Sequence, residues 1–308
     1  MNQSTEPPKR HGLLPVRRLR PSVCCICLTA SRQELTRRAV DCFRSQTYQN
    51  KALVIWDSGE VPYVSDGDTS IENIVRDPQG RGQTVGALRN AANGIARGCD
   101  IIVNWDSDDW SHPNRIAEQV ELLQSSGADV VGYNELMFWR APIYTESNYR
   151  QEVSGEAWIW GSYPPPETTL CYWRKYWEHH PFGATSQGEG LRFLIGAKLS
   201  WGSAVSADEP RMIARIHAGN TSNAYRDLAS HSEWRRVPEY DDYARRIMVV
   251  DLFPGTGIVT TCLADYLTKD SIQRQPLFVF DERSEVSLEK AVQMGLPKEI
   301  AWPTHPKS

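Results

Sequence analysis

The stretch Ile101–Trp110, IIVNWDSDDW, constrains the fold more than any other part of the chain. Three apolar residues, Ile101, Ile102 and Val103, run into a cluster of three carboxylates, Asp106, Asp108 and Asp109. Such a run reads as a buried strand, and acids at its end lie at the carboxyl edge of a sheet, where α/β proteins bind ligands. Ser111, His112 and Pro113 then open an amphipathic segment, with Pro113 suited to a first helical position. Carboxylates this close repel one another unless a cation neutralises them, and hard oxygen ligands suit Mg²⁺ or Mn²⁺. The alternative is an acidic loop that caps the following helix.

The flanking segments supply the other parts of an α/β sheet. Val23–Leu28 is a continuous apolar strand, followed by Thr29-Ala30-Ser31-Arg32, where Ser31 and Glu34 have capping-box spacing. Leu35, Ala39, Cys42 and Phe43 fall on one helical face, and Ala52–Ile55 forms a second strand running into Trp56-Asp57-Ser58-Gly59. This strand–helix–strand unit is the nucleotide-binding half of such a sheet. Gly80-Arg81-Gly82-Gln83 precedes a helix with Val85, Leu88, Ala92 and Ile95 on one face. Gly86 and Arg89-Asn90 occupy its first turns, where free N–H groups, the helix dipole and an arginine favour an anion. Ile116, Val120 and Leu123 continue the helix after the acidic loop, and Asp129–Tyr133 returns as a strand. Residues 134–168, rich in aromatics and proline, read as an irregular binding loop or lid.

Composition narrows the class. With 34 basic against 38 acidic residues the chain lacks the basic excess of a general nucleic-acid binder. Its seven cysteines are odd in number and show no paired metal-ligand spacing. Cys24, Cys25 and Cys27 read as small buried strand residues, which fits a reducing cytoplasm. No apolar run approaches the ~20 residues needed to cross a bilayer, and no signal peptide opens the sequence. The expected location is therefore cytoplasmic or peripheral to the membrane. Eleven tryptophans, several of them between Trp139 and Trp201, would suit a sugar-facing groove as well as a core.

Taken together, DSDDW followed by His112-Pro113 resembles the D-x-D signature of GT-A glycosyltransferases, in the form used by the bacterial branch of family 2. Thr29, Arg32, Gln46-Thr47-Tyr48 and Asp57 match that family's opening, and the stretches Thr169–Trp177 and Phe182–Leu194 match a later segment. The resemblance covers roughly residues 21–243. It implies a nucleotide-diphosphate sugar as donor and Mn²⁺ or Mg²⁺ as cofactor. Asp57 would accept from the nucleobase, with Thr29 and Arg32 lining the same pocket. Gly86 and Arg89 would lie near the diphosphate, and Asp106 and Asp108 would hold the metal. His217, in the stretch Ile213–His217 that precedes Gly219-Asn220, would complete the metal shell. Ala30 and Ser58 depart from the family pattern and leave the base open. The larger departure is Gly190, which stands where the family has the aspartate that serves as general base. Glu189 is the nearest carboxylate and is expected to act as the base, provided residues 186–190 form a turn. Asp208 and Glu209 are remote candidates.

The expected organisation is a flexible basic tail over 1–20, an α/β GT-A domain over 21–243 and a small α/β appendage over 244–308. The GT-A domain would carry a Rossmann-like nucleotide-binding half and a mixed, mostly parallel sheet. In the appendage, a strand at Ile247–Asp251, then Pro254-Gly255-Thr256-Gly257, a helix, and Leu277–Phe280 ending in Asp281 resemble half of a methyltransferase cofactor unit. Too little chain follows for the remaining strands, so it reads as a surface for docking a partner or a second copy. The function expected is metal-dependent transfer of a sugar, with inversion, to an acceptor hydroxyl. That acceptor could be a glycan, a lipid-linked glycan, a protein or a nucleic acid. The alternatives are a nucleotide-sugar-binding module impaired at Gly190, or a nucleotidyltransferase using the same acidic loop.

Overall fold

The structure is a computed structural model that describes residues 20–65, 72–140, 155–161, 163–205, 209–216 and 228–248. The tail before Arg20, His217, Asp208 and the appendage beyond Met248 lie outside the described residues.

The opening unit forms as expected. β1 (Val23–Thr29) leads through α1 (Gln33–Arg44) into β2 (Lys51–Asp57), which pairs parallel with β1 from Val23/Lys51 to Thr29/Asp57. β3 (Glu72–Arg76) adds parallel to β2, and α2 (Val85–Ile95) crosses back to β4 (Ile101–Asn104), which pairs parallel with the other side of β1. Four parallel strands thus end at one edge, and the acidic loop leaves from the last of them. A short β5 (Trp110–Ser111) and α3 (Arg115–Ser126) follow. Successive residues of β1 face opposite layers. Cys25 and Cys27 pack with Val40, Phe43, Ile116 and Leu123 beneath α1 and α3. Cys24 and Ile26 pack with Ala92, Ile102, Tyr172 and Phe193 on the other face.

The second half makes the sheet mixed. β6 (Val130–Arg140), β7 (Glu156–Gly161) and β8 (Cys171–Trp173) precede α4 (Arg174–His179) and α5 (Glu189–Leu194). β9 (Leu199–Ser203), β10 (Met212–Ile216), β11 (Trp234–Arg236) and α6 (Asp241–Met248) complete the described chain. The strand order is β11-β7-β6-β8-β4-β1-β2-β3, with β9 and β10 joining β6 in parallel and β5 pairing antiparallel to β10. β8 enters antiparallel to both β4 and β6, and so joins the two halves.

Four local expectations are corrected. The strand expected to stop at Tyr133 continues to Arg140, and a second strand lies at Glu156–Gly161. The polar pair Asn134-Glu135 interrupts the apolar pattern because the register with β9 shifts there. Ser31 and Glu34 form no capping box: Ser31 adopts φ +55°, its Oγ accepts from the N–H groups of Glu60 and Val61, and Glu34 pairs with Arg37. On α2 the buried stripe is Gly86, Leu88, Arg89, Ala92 and Asn93, whereas Ile95 is 40% exposed. Polar Arg89 and Asn93 turn inward, rotating the helix away from its apolar pattern. Finally, the boundary expected at 243/244 falls inside α6, and Ile247 and Met248 are helical rather than the start of a strand. Ala244 and Met248 are buried against Met137, Trp139, Ile159 and Ile213, so this helix belongs to the main core.

Candidate functional site

The site grows from the carboxyl edge of β1, β2 and β4, where Thr29, Asp57 and the acidic loop converge. Two buried side chains shape that loop from below. Trp105, 1% exposed, donates its indole N–H to the carbonyl of Ala39 (2.9 Å). Arg115, also 1% exposed, lies with its guanidinium 5.0 Å from the Trp105 ring. Its Nη2 donates to the carbonyls of Asn104 and Thr168, each at 2.9 Å, its Nη1 to Ser111 Oγ (2.9 Å) and its Nε to Gln119 Oε1 (3.3 Å). From the side, Gln46 donates to the carbonyl of His112 and accepts from the N–H of Ile116, while the N–H of Thr47 bonds the carbonyl of Pro113. The Gln46-Thr47-Tyr48 run therefore clamps the start of α3.

The three aspartates divide between two roles. Asp109 turns inward, where its Oδ2 accepts from Thr168 Oγ1 (2.6 Å) and its Oδ1 from the N–H of Arg215 (3.1 Å). Burial, then the charges of Asp108 and Asp106, push its carboxyl well above the usual carboxylate range. Asp109 is therefore a structural tie between the loop, β10 and the turn at Glu167–Thr169. Asp106 and Asp108 face the edge instead. Asp108 Oδ2 pairs with Arg32 Nη1 at 2.9 Å, and Asp106, with 31% of its side chain exposed, lies 3.5 Å from Arg89 Nη2.

Arg89 is the second anchor. It is 3% exposed, packs 5.6 Å from the Phe182 ring, and also approaches Glu189 Oε1 at 3.8 Å. Burial alone would lower its pKa, but the carboxylates of Asp106 and Glu189 outweigh that and hold the guanidinium charged. Its Nε and Nη1 are buried with no hydrogen-bond partner among the described residues. The edge thus sets a buried, under-bonded guanidinium beside a partly exposed carboxylate.

Glu189 begins α5 directly after Gly188, which takes φ +65°, so the chain bends into a helix here instead of running extended. Its side chain is only 8% exposed and faces Arg89. Burial raises its pKa, with Arg89 opposing the rise.

Two donor-site expectations meet a different geometry. Asp57 is fully buried and spends both oxygens on the protein: Oδ1 accepts from the N–H of Gly59 (2.9 Å) and Oδ2 from that of Tyr63 (2.8 Å), with Arg76 Nη1 at 3.2 Å. Through these bonds it organises the 57–63 loop. The first N–H groups of α2 are also committed: Val85 bonds Ser186 Oγ, Gly86 the carbonyl of Thr185, and Ala87 Thr84 Oγ1. Gly86 is needed for close approach, since a Cβ there would stand 1.8 Å from the carbonyl oxygen of Gly183. The phosphate-binding potential of this helix thus rests on the Arg89 side chain. Thr29, 5% exposed, bonds Thr36 Oγ1 and lines the floor.

For a metal, Asp106 and Asp108 offer hard oxygens at one rim. Among the described residues no three His, Cys, Asp or Glu side chains gather into a cage. One or two carboxylates completed by substrate phosphates and water is the mode that Mg²⁺ commonly uses, and this donor set fits it. His112, which lies next to the loop, is engaged elsewhere: Nδ1 accepts from the N–H of Asn114 and Nε2 faces Glu209. Of the clustered tryptophans, Trp139 and Trp158 are core residues, and Trp201, 43% exposed, packs edge-on against Tyr163. No described helix is long and apolar enough to cross a membrane.

Sequence reasoning did not find Arg115, Thr168 or Glu167. Each has a partner far along the chain, 53, 59 and 23 residues away, and no spacing rule reaches that far.

A search of curated proteins gives no match. Among solved structures, the 1–349 fragment of S. aureus TarS with UDP-GlcNAc is 15% identical, with a TM-score of 0.47 over 67% of this chain and 62% of that one. The mannosyltransferase PcManGT from Pyrobaculum calidifontis, in complex with GDP-Man and Mn²⁺, is 16% identical, with a TM-score of 0.42 over 66% of this chain and 59% of that one. GalNAc-T7 with UDP, GalNAc and Mn²⁺ is 9% identical, with a TM-score of 0.43 over 65% and 45%. The chain spans between 37% and 62% of the lengths of these and related structures. Residues 22–139, from β1 through the acidic loop to the far end of β6, match the family model described as glycosyl transferase family 2. Over that segment, which is less than half of the chain, the sequence is similar to family 2 glycosyltransferases.

Proposed function

We propose that this domain transfers a sugar from a nucleotide-diphosphate sugar to an acceptor hydroxyl, by single in-line displacement with inversion, and needs Mn²⁺ or Mg²⁺. The observation that carries the reading is the Asp106–Arg89 pair: a half-exposed carboxylate beside a buried arginine whose Nε and Nη1 are idle. A diphosphate supplies acceptors for those donors, and a phosphate-bound cation supplies the charge that Asp106 and Asp108 attract. When bound, the ion would offset the negative charge that builds on the departing diphosphate.

The remaining work falls to the chain's own groups. Arg89, held charged by Asp106 and Glu189, donates to the diphosphate and orients it. Arg32 fixes Asp108 in place through its 2.9 Å ion pair, and with Thr29 forms the inner wall of the nucleoside pocket. Arg115 keeps the loop rigid, so that donor and acceptor meet in one geometry. His217 remains a proposed further metal ligand.

The test is release of nucleoside diphosphate from a panel of UDP-, GDP- and dTDP-sugars in Mn²⁺ buffer. Wild type should turn over at least one donor, and Asp106→Ala should lose at least ~10²-fold of that activity, the scale of removing one electrostatic stabiliser. Equal turnover by Asp106→Ala would move the site away from this edge.

A further inference from the structure

We infer that Glu167 is the carboxylate that takes the proton from the attacking hydroxyl, in the space that a side chain at position 190 would fill. The inference rests on the donor site proposed above and adds the residue that acts on the acceptor.

Three observations place it there. The first is steric. A Cβ built on Gly190 would stand 2.3 Å from Glu167 Cγ and 2.9 Å from both its Cδ and its Oε1. No residue other than glycine fits at 190 while Glu167 holds this position, because real Cβ contacts do not come this close. The carboxyl-bearing arm of Glu167 therefore occupies the volume next to the 188–190 turn. The second is anchoring. The N–H of Gly190 donates to Glu167 Oε1 at 3.2 Å, which fixes the carboxylate, and Oε2 has no hydrogen bond among the described residues. The segment is tied to the donor side at three points, two of them through backbone carbonyls. Asn104 Nδ2, at the last residue of β4, donates to the carbonyl of Glu167, while neighbouring Thr168 bonds Asp109 through its hydroxyl and Arg115 through its carbonyl. The Glu167 main chain is thus held to the acidic-loop side of the site while its carboxylate is held to the 188–190 turn.

The third concerns the rival. Glu189 is 8% exposed and turned toward Arg89, with its Oε1 3.8 Å from Nη2, so its charge is engaged by that guanidinium. Glu167 is half-buried, and its carboxylate bonds a backbone N–H rather than an arginine. Its charge acts on both Arg89 and Glu189, which puts all three in one electrostatic cluster. The buried, underpaired Arg89 is the independent sign that this cluster receives a ligand.

The step balances without an added reactant. The acceptor oxygen bonds the anomeric carbon as its proton passes to Glu167. The bond from that carbon to the diphosphate oxygen breaks, and its electron pair leaves with the diphosphate. Glu167 then returns the proton to water. A carboxylate in hydrogen-bond reach contributes ~10²–10⁴ in rate at such a step.

The test compares Glu167→Gln, Glu189→Gln, and Glu167→Ala with and without Gly190→Asp. Donor affinity is read by calorimetry with Mn²⁺, and turnover by nucleoside diphosphate release. Glu167→Gln should lose at least ~10²-fold in turnover with donor affinity within about threefold of wild type, a transition-state signature. Adding Gly190→Asp to Glu167→Ala should recover at least ~10-fold, since removing the longer side chain opens the space for the shorter one. Glu189→Gln should chiefly change donor affinity through Arg89. Turnover within threefold of wild type in Glu167→Gln overturns the inference, as does a turnover loss matched by an equal loss of donor affinity. Should Glu167→Gln fail to fold, absence of recovery in the double variant overturns it. A wild type that binds no nucleotide sugar removes the donor site itself, and the binding arm shows that failure separately.

Discussion

Arg115→Met removes the guanidinium from beneath the acidic loop and leaves a side chain of similar length. The residue is 1% exposed and makes four hydrogen bonds, two of them at 2.9 Å to the carbonyls of Asn104 and Thr168. A buried acceptor left without its donor costs about 1–3 kcal/mol, so the two carbonyls together cost about 2–6 kcal/mol. Methionine keeps most of the packing on Trp105, which limits any cavity contribution. Against a typical total of about 5–15 kcal/mol, this is a large share of the stability. Urea unfolding should show a midpoint shift equivalent to that loss with an unchanged slope. Donor turnover should fall in the fraction that stays folded, because the carbonyl of Asn104 and the Glu167–Thr169 turn both lose their tie. A loss below about 1 kcal/mol would show that water or neighbouring groups replace the guanidinium, and would refute the rigid-loop argument.

Three further outcomes follow from the same geometry. Asp57→Ala should cost at least about 2 kcal/mol in a melt or urea titration, since two buried N–H groups lose their acceptor; full stability with weakened nucleotide binding would restore a direct base contact. Gly86→Ala should detach the 183–187 segment from α2, seen as faster amide exchange at Val85 and Gly86 and as protease cleavage near Thr185, because its Cβ would meet a backbone oxygen at 1.8 Å. Unchanged exchange would contradict that contact. Burial raises the Glu189 carboxyl above its ordinary value of 4.5, so ionising it costs the folded state stability as pH rises from the unfolded value through the folded one. Glu189→Gln should therefore gain stability relative to wild type between about pH 4 and neutrality; a relative loss over that interval would mean that the pairing with Arg89 outweighs burial.

Much of the sheet edge was legible in the sequence because it depends on local signals. Apolar runs gave β1, β2 and β4, and acids at the end of the last run marked the ligand edge. Three acids were not equivalent, however. Asp109 turns inward because Thr168 and the N–H of Arg215, far along the chain, offer it bonds. Asp57 likewise read as a ligand-facing acid at a strand end, yet Gly59, Tyr63 and Arg76 enclose it. Periodicity misjudged α2 because its buried face is partly polar, with Arg89 inside for the sake of the site. The empty place at Gly190 was visible from the family pattern, but the group filling it was not. Glu167 belongs to another segment and comes near only when β8 joins the two halves of the sheet.

Calorimetric titration of nucleoside diphosphates and their sugars into the protein, with and without Mn²⁺ and in wild type and Asp108→Ala, tests the donor site most directly. Wild type with Mn²⁺ should bind at least one of the UDP, GDP or dTDP series. Removing either the metal or the Asp108 carboxylate should weaken that binding at least ~10-fold, about 1.4 kcal/mol. Equal binding in all four combinations, or none in any, would contradict the assignment of this acidic edge as the site of a metal-bound nucleotide sugar.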